Sequence, residues 1–127
     1  METKRVRLPD LDADDSPSAF SRLIREEKDR IRRDVFMLLH PQDTESGALL
    51  AGFTVVYPGC STNGHAHADR EEVYHFLRGR GVMVVDGTET EVGAGDTIYI
   101  PYGPFHTTRN PSNVPLEYFW ITIAKKT

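Results

Sequence analysis

From Val35 onward the chain is a series of short apolar runs, each stopped by Gly, Pro or Asn. Val35 to Leu39 ends at His40-Pro41, and the polar loop Q-D-T-E-S-G follows. Ala48 to Tyr57 is closed by Pro58-Gly59, and Val73 to Leu77 and Val82 to Val85 come next. Asp86-Gly87 is a two-residue hairpin signal that predicts pairing of Val82 to Val85 with Thr88 to Val92. Gly93-Ala94-Gly95 leads into Thr97 to Ile100, Asn110-Pro111-Ser112-Asn113 makes another turn, and Leu116 to Ala124 is the last long strand. Runs this short and this regularly punctuated predict an all-β sandwich or barrel.

The beginning of the chain has a different texture. Residues 1–17 are charged and irregular, and are expected to form a loose arm or an edge strand borrowed by a neighbouring subunit. Over 18–33, Ala19, Phe20, Leu23, Ile24 and Ile31 partly fit a helical stripe, and Ser16-Pro17 suits a helix start. The expected division is therefore an N-terminal arm with a short helix or edge strand over 1–34 and a barrel over 35–127. In the last strand Tyr118, Trp120 and Thr122 share one face while Phe119, Ile121 and Ile123 share the other. Apolar side chains on both faces mean cover on both, by the barrel interior and by a second subunit, so a homodimer is expected.

Composition narrows the class without naming a function. One hundred and twenty-seven residues make one domain with one core. Fifteen basic against nineteen acidic residues give a net charge of -4, which disfavours nucleic acid as a partner. A single cysteine, Cys60, forms no internal disulfide and fits a reducing compartment. No apolar run reaches the roughly 18 residues of a membrane span, and the first residues lack the apolar segment of a signal peptide, so a soluble cytoplasmic protein is expected.

The chemistry lies in two stretches, Gly59 to Gly79 and Gly95 to Asn110. On a strand His65 and His67 share a face, Glu72 opens the next apolar run, and His106 arrives on a later strand. Three imidazoles and a carboxylate suit Zn, Fe, Mn, Ni or Cu better than the all-oxygen preference of Ca or Mg. These stretches resemble the paired motifs of the cupins, G-x5-H-x-H-x4-E-x6-G and G-x5-P-x-G-x2-H-x3-N. The fixed positions are filled by Gly59, His65, His67, Glu72 and Gly79, then by Gly95, Pro101, Gly103, His106 and Asn110. Glu71 is a second acid beside Glu72, but the six residues separating Glu72 from Gly79 favour Glu72. The resemblance implies a double-stranded β-helix, the cupin jelly-roll barrel, with one divalent transition metal held by His65, His67, Glu72 and His106. It also allows a strand near Phe20 to Ile24.

Other polar residues have plainer expected roles. Strand alternation turns His75 away from the metal, and His40 is given no role either. Asp69, Arg70 and Glu71 read as solvated turn residues, Asn110 as a turn-builder and Cys60 as a small core residue. Tyr74, two residues after Glu72, is expected in the same cavity as a catalytic residue or as lining. Thr108 is a weaker candidate by the same logic, and the inward phase of Phe53 and Val55 against Thr54 and Val56 stays open.

Cupins span many chemistries, so the fold names no substrate. The complete ligand set implies a metalloenzyme with a small oxygenated metabolite as substrate, working by isomerisation, elimination or lyase-type proton transfer. T-N-G-H-A-H with E-V-Y is partly similar to the cupin-type phosphoglucose isomerases, and L-E-Y-F-W-I with E-x-Y to small dimethylsulfoniopropionate lyases. An Fe(II) dioxygenase and a non-catalytic metal- or sugar-binding module are the alternatives. Neither nucleic acid nor membrane is an expected partner.

Overall fold

The computed structural model describes residues 31–126 together with Thr3, Arg5, Val6 and Ser16. The arm, helix or edge strand expected over 1–34 falls almost wholly outside those residues. Among the described residues the apolar runs become eight strands. They are β1 (Arg33–Leu39), β2 (Leu49–Val56), β3 (Arg70–Arg78), β4 (Arg80–Val85), β5 (Thr88–Gly93), β6 (Thr97–Ile100), β7 (His106–Arg109) and β8 (Leu116–Ala124). A 3-10 turn, Pro41–Asp43, links β1 towards β2. No helix among the described residues is long and apolar enough to cross a membrane.

All pairing between these strands is antiparallel. A five-stranded sheet has the order β1-β2-β8-β3-β6, and a three-stranded sheet the order β5-β4-β7. The β4–β5 hairpin turns at Asp86 and Gly87, whose φ values of 47° and 79° are those of the two-residue turn that matches strand twist. The two sheets close over one core. Val56, Tyr74, Phe76, Ile100, Leu116 and Tyr118 of the large sheet meet Met83 and Val92 of the small one, and Cys60 joins them from a loop. Each large apolar side chain buried this way contributes about 1.5–3 kcal/mol. The result is an all-β jelly-roll barrel.

Register decides which side chains face the cavity. Alternation in β3 sends Glu72, Tyr74 and Phe76 inward, and in β8 it buries Leu116, Tyr118 and Thr122. Thr54 lies opposite Tyr118, and Phe53 opposite Phe119. The open phase of β2 is thereby resolved: Thr54 and Val56 point in, Phe53 and Val55 out.

Two motif residues hold the ends of strands in place. Asn110 is fully buried, its Nδ2 donating to the carbonyls of Val56 and Val114 at 2.9 and 2.8 Å while Oδ1 accepts from Ser112 N at 3.0 Å. Its turn-building role is as the sequence suggests. Gly79, between β3 and β4, has φ +83°, and a Cβ there would stand 2.2 Å from the Pro115 carbonyl oxygen. Only glycine fits both demands.

The outer face of the large sheet is apolar. Phe36, Phe53 and Phe119 are aligned across β1, β2 and β8, with the Phe36 and Phe53 rings 6.4 Å apart. Phe36, Leu38, Tyr99 and Ile123 are all exposed.

Candidate metal centre

Both sheets contribute to the four-residue cluster. Glu72 projects inward from β3 of the large sheet, and His106 opens β7 of the small one. His65 and His67 do not sit on a regular strand. They belong to an extended segment stitched to the start of β7 by a reciprocal pair, His65 N to His106 O at 3.1 Å and His106 N to His65 O at 2.9 Å. The His67 carbonyl then accepts from Gly103 N at 2.8 Å. Extended backbone pinned at both histidines gives the shared direction that strand alternation predicts, without a strand.

All three Nε2 atoms converge on Glu72 Oε2, at 3.2 Å from His106, 3.6 Å from His67 and 3.7 Å from His65. The four donor atoms lie within 4.8 Å of one another. Ligands each about 2.0–2.2 Å from a shared ion stand about 3 Å apart when at right angles, so the cluster needs only small side-chain adjustments to hold a divalent transition metal. His106 Nδ1 donates to the Pro104 carbonyl at 3.0 Å, which aims Nε2 into the cluster. Glu71, one residue away, points outward. Its carboxylate accepts from the Tyr99 hydroxyl and, at 3.5 Å, from that of Tyr102.

Electrostatics prepare the carboxylate for a cation. Burial alone would raise the Glu72 pKa, but hydrogen bonds from His106 and His65 outweigh it and hold the group at about 2. His106 is also buried, which opposes its charge, yet the bond to Glu72 and the bond to Pro104 raise its pKa from the ordinary imidazole value. Burial and the neighbouring His65 lower His67, which is therefore neutral and ready to ligate. A metal must displace the His106 proton. Uptake is consequently weak below the raised His106 value and strengthens as pH climbs through it. Calorimetric titration with Zn²⁺ near neutral pH, in two buffers of different ionisation enthalpy, is expected to show net proton release. Equal apparent enthalpies would contradict this.

Three of the four, His65, His67 and Glu72, line a cavity of about 180 Å³, with His106 buried behind them. Tyr74 lines it, with its ring stacked on Tyr118 at 4.9 Å and 12° and edge-on to His106 at 6.0 Å. Burial pushes the Tyr74 phenol well above its ordinary value and that of Tyr118 up to about 12, so both stay protonated at neutral pH. Trp120 Nε1 donates to Thr54 Oγ1 at 2.9 Å, fixing the opposite wall. Thr108 is buried in the core, where its hydroxyl donates to Met83 Sδ at 3.0 Å. His75 faces outward, with Nδ1 2.8 Å from Thr97 Oγ1.

Arg70 corrects the sequence reading. It is not a solvated turn residue: it opens β3, its side chain is 26% exposed, and it lines the cavity. The parity of Arg70 with Glu72 and Tyr74 is the signal that would have found it. Arg33 also lines the cavity, from a part of the chain whose sequence pattern is ambiguous.

A family model described as Cupin domain matches residues 52–122. An uncharacterized protein of Methanocaldococcus jannaschii is 41% identical over 80 residues, covering 63% of this chain and 64% of that protein. A glucose-6-phosphate isomerase of Thermococcus kodakarensis is 32% identical over 116 residues, covering 81% of this chain and 59% of the isomerase. The chain thus spans less than two thirds of the length of either relative. Among solved structures, a protein of Thermotoga maritima described as a predicted oxalate decarboxylase superposes with a TM-score of 0.69 at 24% identity, over 95% of this chain and 99% of that one.

Proposed function

The chain belongs to the cupin family, and on that premise we propose that it is a metal-dependent enzyme moving a proton on a small oxygenated metabolite, by isomerisation or elimination. The convergence of three imidazole nitrogens and one carboxylate oxygen beside a cavity that His65, His67 and Glu72 line carries this reading. His65, His67, Glu72 and His106 would hold the ion, and their chemistry suits Fe, Mn, Ni, Zn or Cu. Bound there, a divalent ion supplies Lewis acidity towards a carbonyl or hydroxyl oxygen.

The chain's own groups orient the substrate and answer the charge that develops on it. Tyr74 keeps its proton at neutral pH, so its Oη donates to a substrate oxygen as negative charge builds there and recovers the proton afterwards. Trp120 and Thr54 shape the apolar and hydroxyl sides of the cavity that orient the substrate. Several relatives bear the name glucose-6-phosphate isomerase, a reaction of this proton-transfer type, and this supports isomerisation above elimination.

The test uses protein loaded with each metal in turn and a panel of small hydroxy-aldehydes and hydroxy-ketones in D₂O. Proton NMR is expected to show deuterium entering the carbon beside the carbonyl. Consumption of dissolved oxygen by the Fe(II) form would favour a dioxygenase instead. A fully loaded protein that only binds, with neither exchange nor oxygen uptake, would be a binding module.

We further propose that the protein works in the cytoplasm as a homodimer, without a nucleic-acid or membrane partner. The apolar outer face built on Phe36, Phe53 and Phe119 supports the dimer. The net charge of -4 and the lone thiol of Cys60 support the rest. Light scattering at micromolar concentration is expected to give twice the chain mass, and Phe36→Asp to halve it. A monomeric native protein would remove this proposal and leave the metal site untouched.

A further inference from the structure

The charge of the cavity narrows its ligand. Glu72 is the only acid among the described residues that line it, and its carboxylate is already engaged by three imidazoles. Two guanidinium groups reach the same cavity from separate strands, Arg33 from β1 and Arg70 from the start of β3. With every histidine neutral the lining contributed by the described residues is still net positive.

The two arginines are placed differently. Arg70 is largely buried, and its Nη1 donates to Thr122 Oγ1 at 3.3 Å, which holds the guanidinium against the wall. Its nearest acid is Asp69, 3.7 Å from Nε and exposed to water, so that pairing is weak. Arg33 is exposed at the cavity's edge and has no carboxylate partner among the described residues. A guanidinium in a partly dehydrated site is most strongly satisfied by a planar or tetrahedral oxyanion, which accepts several of its N–H bonds at once. A neutral polyol would leave this charge unanswered.

We propose that Arg33 and Arg70 form an anion-binding subsite, so that the metabolite accepted by the cavity carries a carboxylate or phosphate group. This rests on reading the cavity as an active site. The anionic group docks at the arginines while the reacting oxygens face the four-residue cluster and Tyr74. A cavity of about 180 Å³ suits a small anionic hydroxy-carbonyl compound.

The experiment measures binding of glycolate, inorganic phosphate and neutral glycerol to metal-loaded and metal-free protein by calorimetry. Native protein is expected to bind an anion at least about 10-fold tighter than glycerol, and less tightly as salt rises. Whichever of glycolate and phosphate binds better identifies the group. Arg33→Gln and Arg70→Gln should each weaken that anion by about 10-fold, with metal content and the circular dichroism spectrum unchanged. The double variant should lose the anion preference. Anion binding that disappears with the metal but survives both substitutions would overturn the subsite and spare the proposed metal-dependent chemistry. Conversely, an arginine-dependent anion preference in a protein that takes up no metal would keep the subsite and sink the metalloenzyme.

Discussion

His106→Ala is expected to leave the barrel folded and to lower metal affinity by about 100-fold or more. Structural zinc sites with four protein ligands bind with about 10–16 kcal/mol in total, which sets the scale of one ligand's share at about 3 kcal/mol. His106 is 1% exposed and its Nε2 is the imidazole nitrogen nearest Glu72, so nothing else replaces it. Glu72→Gln should cost as much, because it removes the only negative charge in the cluster. Glu71→Gln should cost nothing, since Glu71 faces Tyr99 on the outer surface. Elemental analysis after dialysis checks all three. If the Glu71 variant lost metal and the Glu72 variant kept it, the register of β3 would be wrong by one residue. Full loading of a variant lacking all three histidines would end the assignment altogether.

The second large effect is catalytic. Tyr74→Phe is expected to keep the fold, since the ring remains stacked on Tyr118, and to keep the metal, since Tyr74 is outside the ligand set. Turnover in the exchange assay should fall about 10²–10⁴-fold, the usual worth of a positioned proton donor. The loss should appear in kcat more than in KM if the hydroxyl acts mainly as charge develops on the substrate. Native turnover in the phenylalanine form would make Tyr74 a lining residue, and proton transfer would have to be assigned elsewhere.

Strands and the four-residue cluster are legible in the chain for a common physical reason: both are written in short-range spacing. Gly and Pro mark the ends of β2 and β4 through β6, and the Thr97–Ile100 and Leu116–Ala124 strands match their apolar runs residue for residue. Spacing also separates Glu72 from Glu71, because alternation along one strand sends them to opposite faces. What spacing does not encode is contact between distant strands. The phase of β2 depends on its register with β8, which pairs Thr54 with Tyr118 across many intervening residues. Arg70 reads as a turn because the polar run A-D-R-E-E hides the true start of β3. The partnership of Arg33 with the cavity arises only once β1 has paired with β2.

The origin of the ligands has a consequence for how the barrel breathes. Glu72 belongs to the large sheet, while His106 and the segment bearing His65 and His67 are tied to the small one. A cation shared by these groups would therefore be a removable rivet between the two halves of the molecule. Loading it would suppress the opening fluctuations that part β3 from β7, and chelation would restore them. Amide hydrogen exchange around Glu72 and His106 would then report metal occupancy directly, and resistance to proteolysis at the cavity mouth would rise and fall with the metal supply.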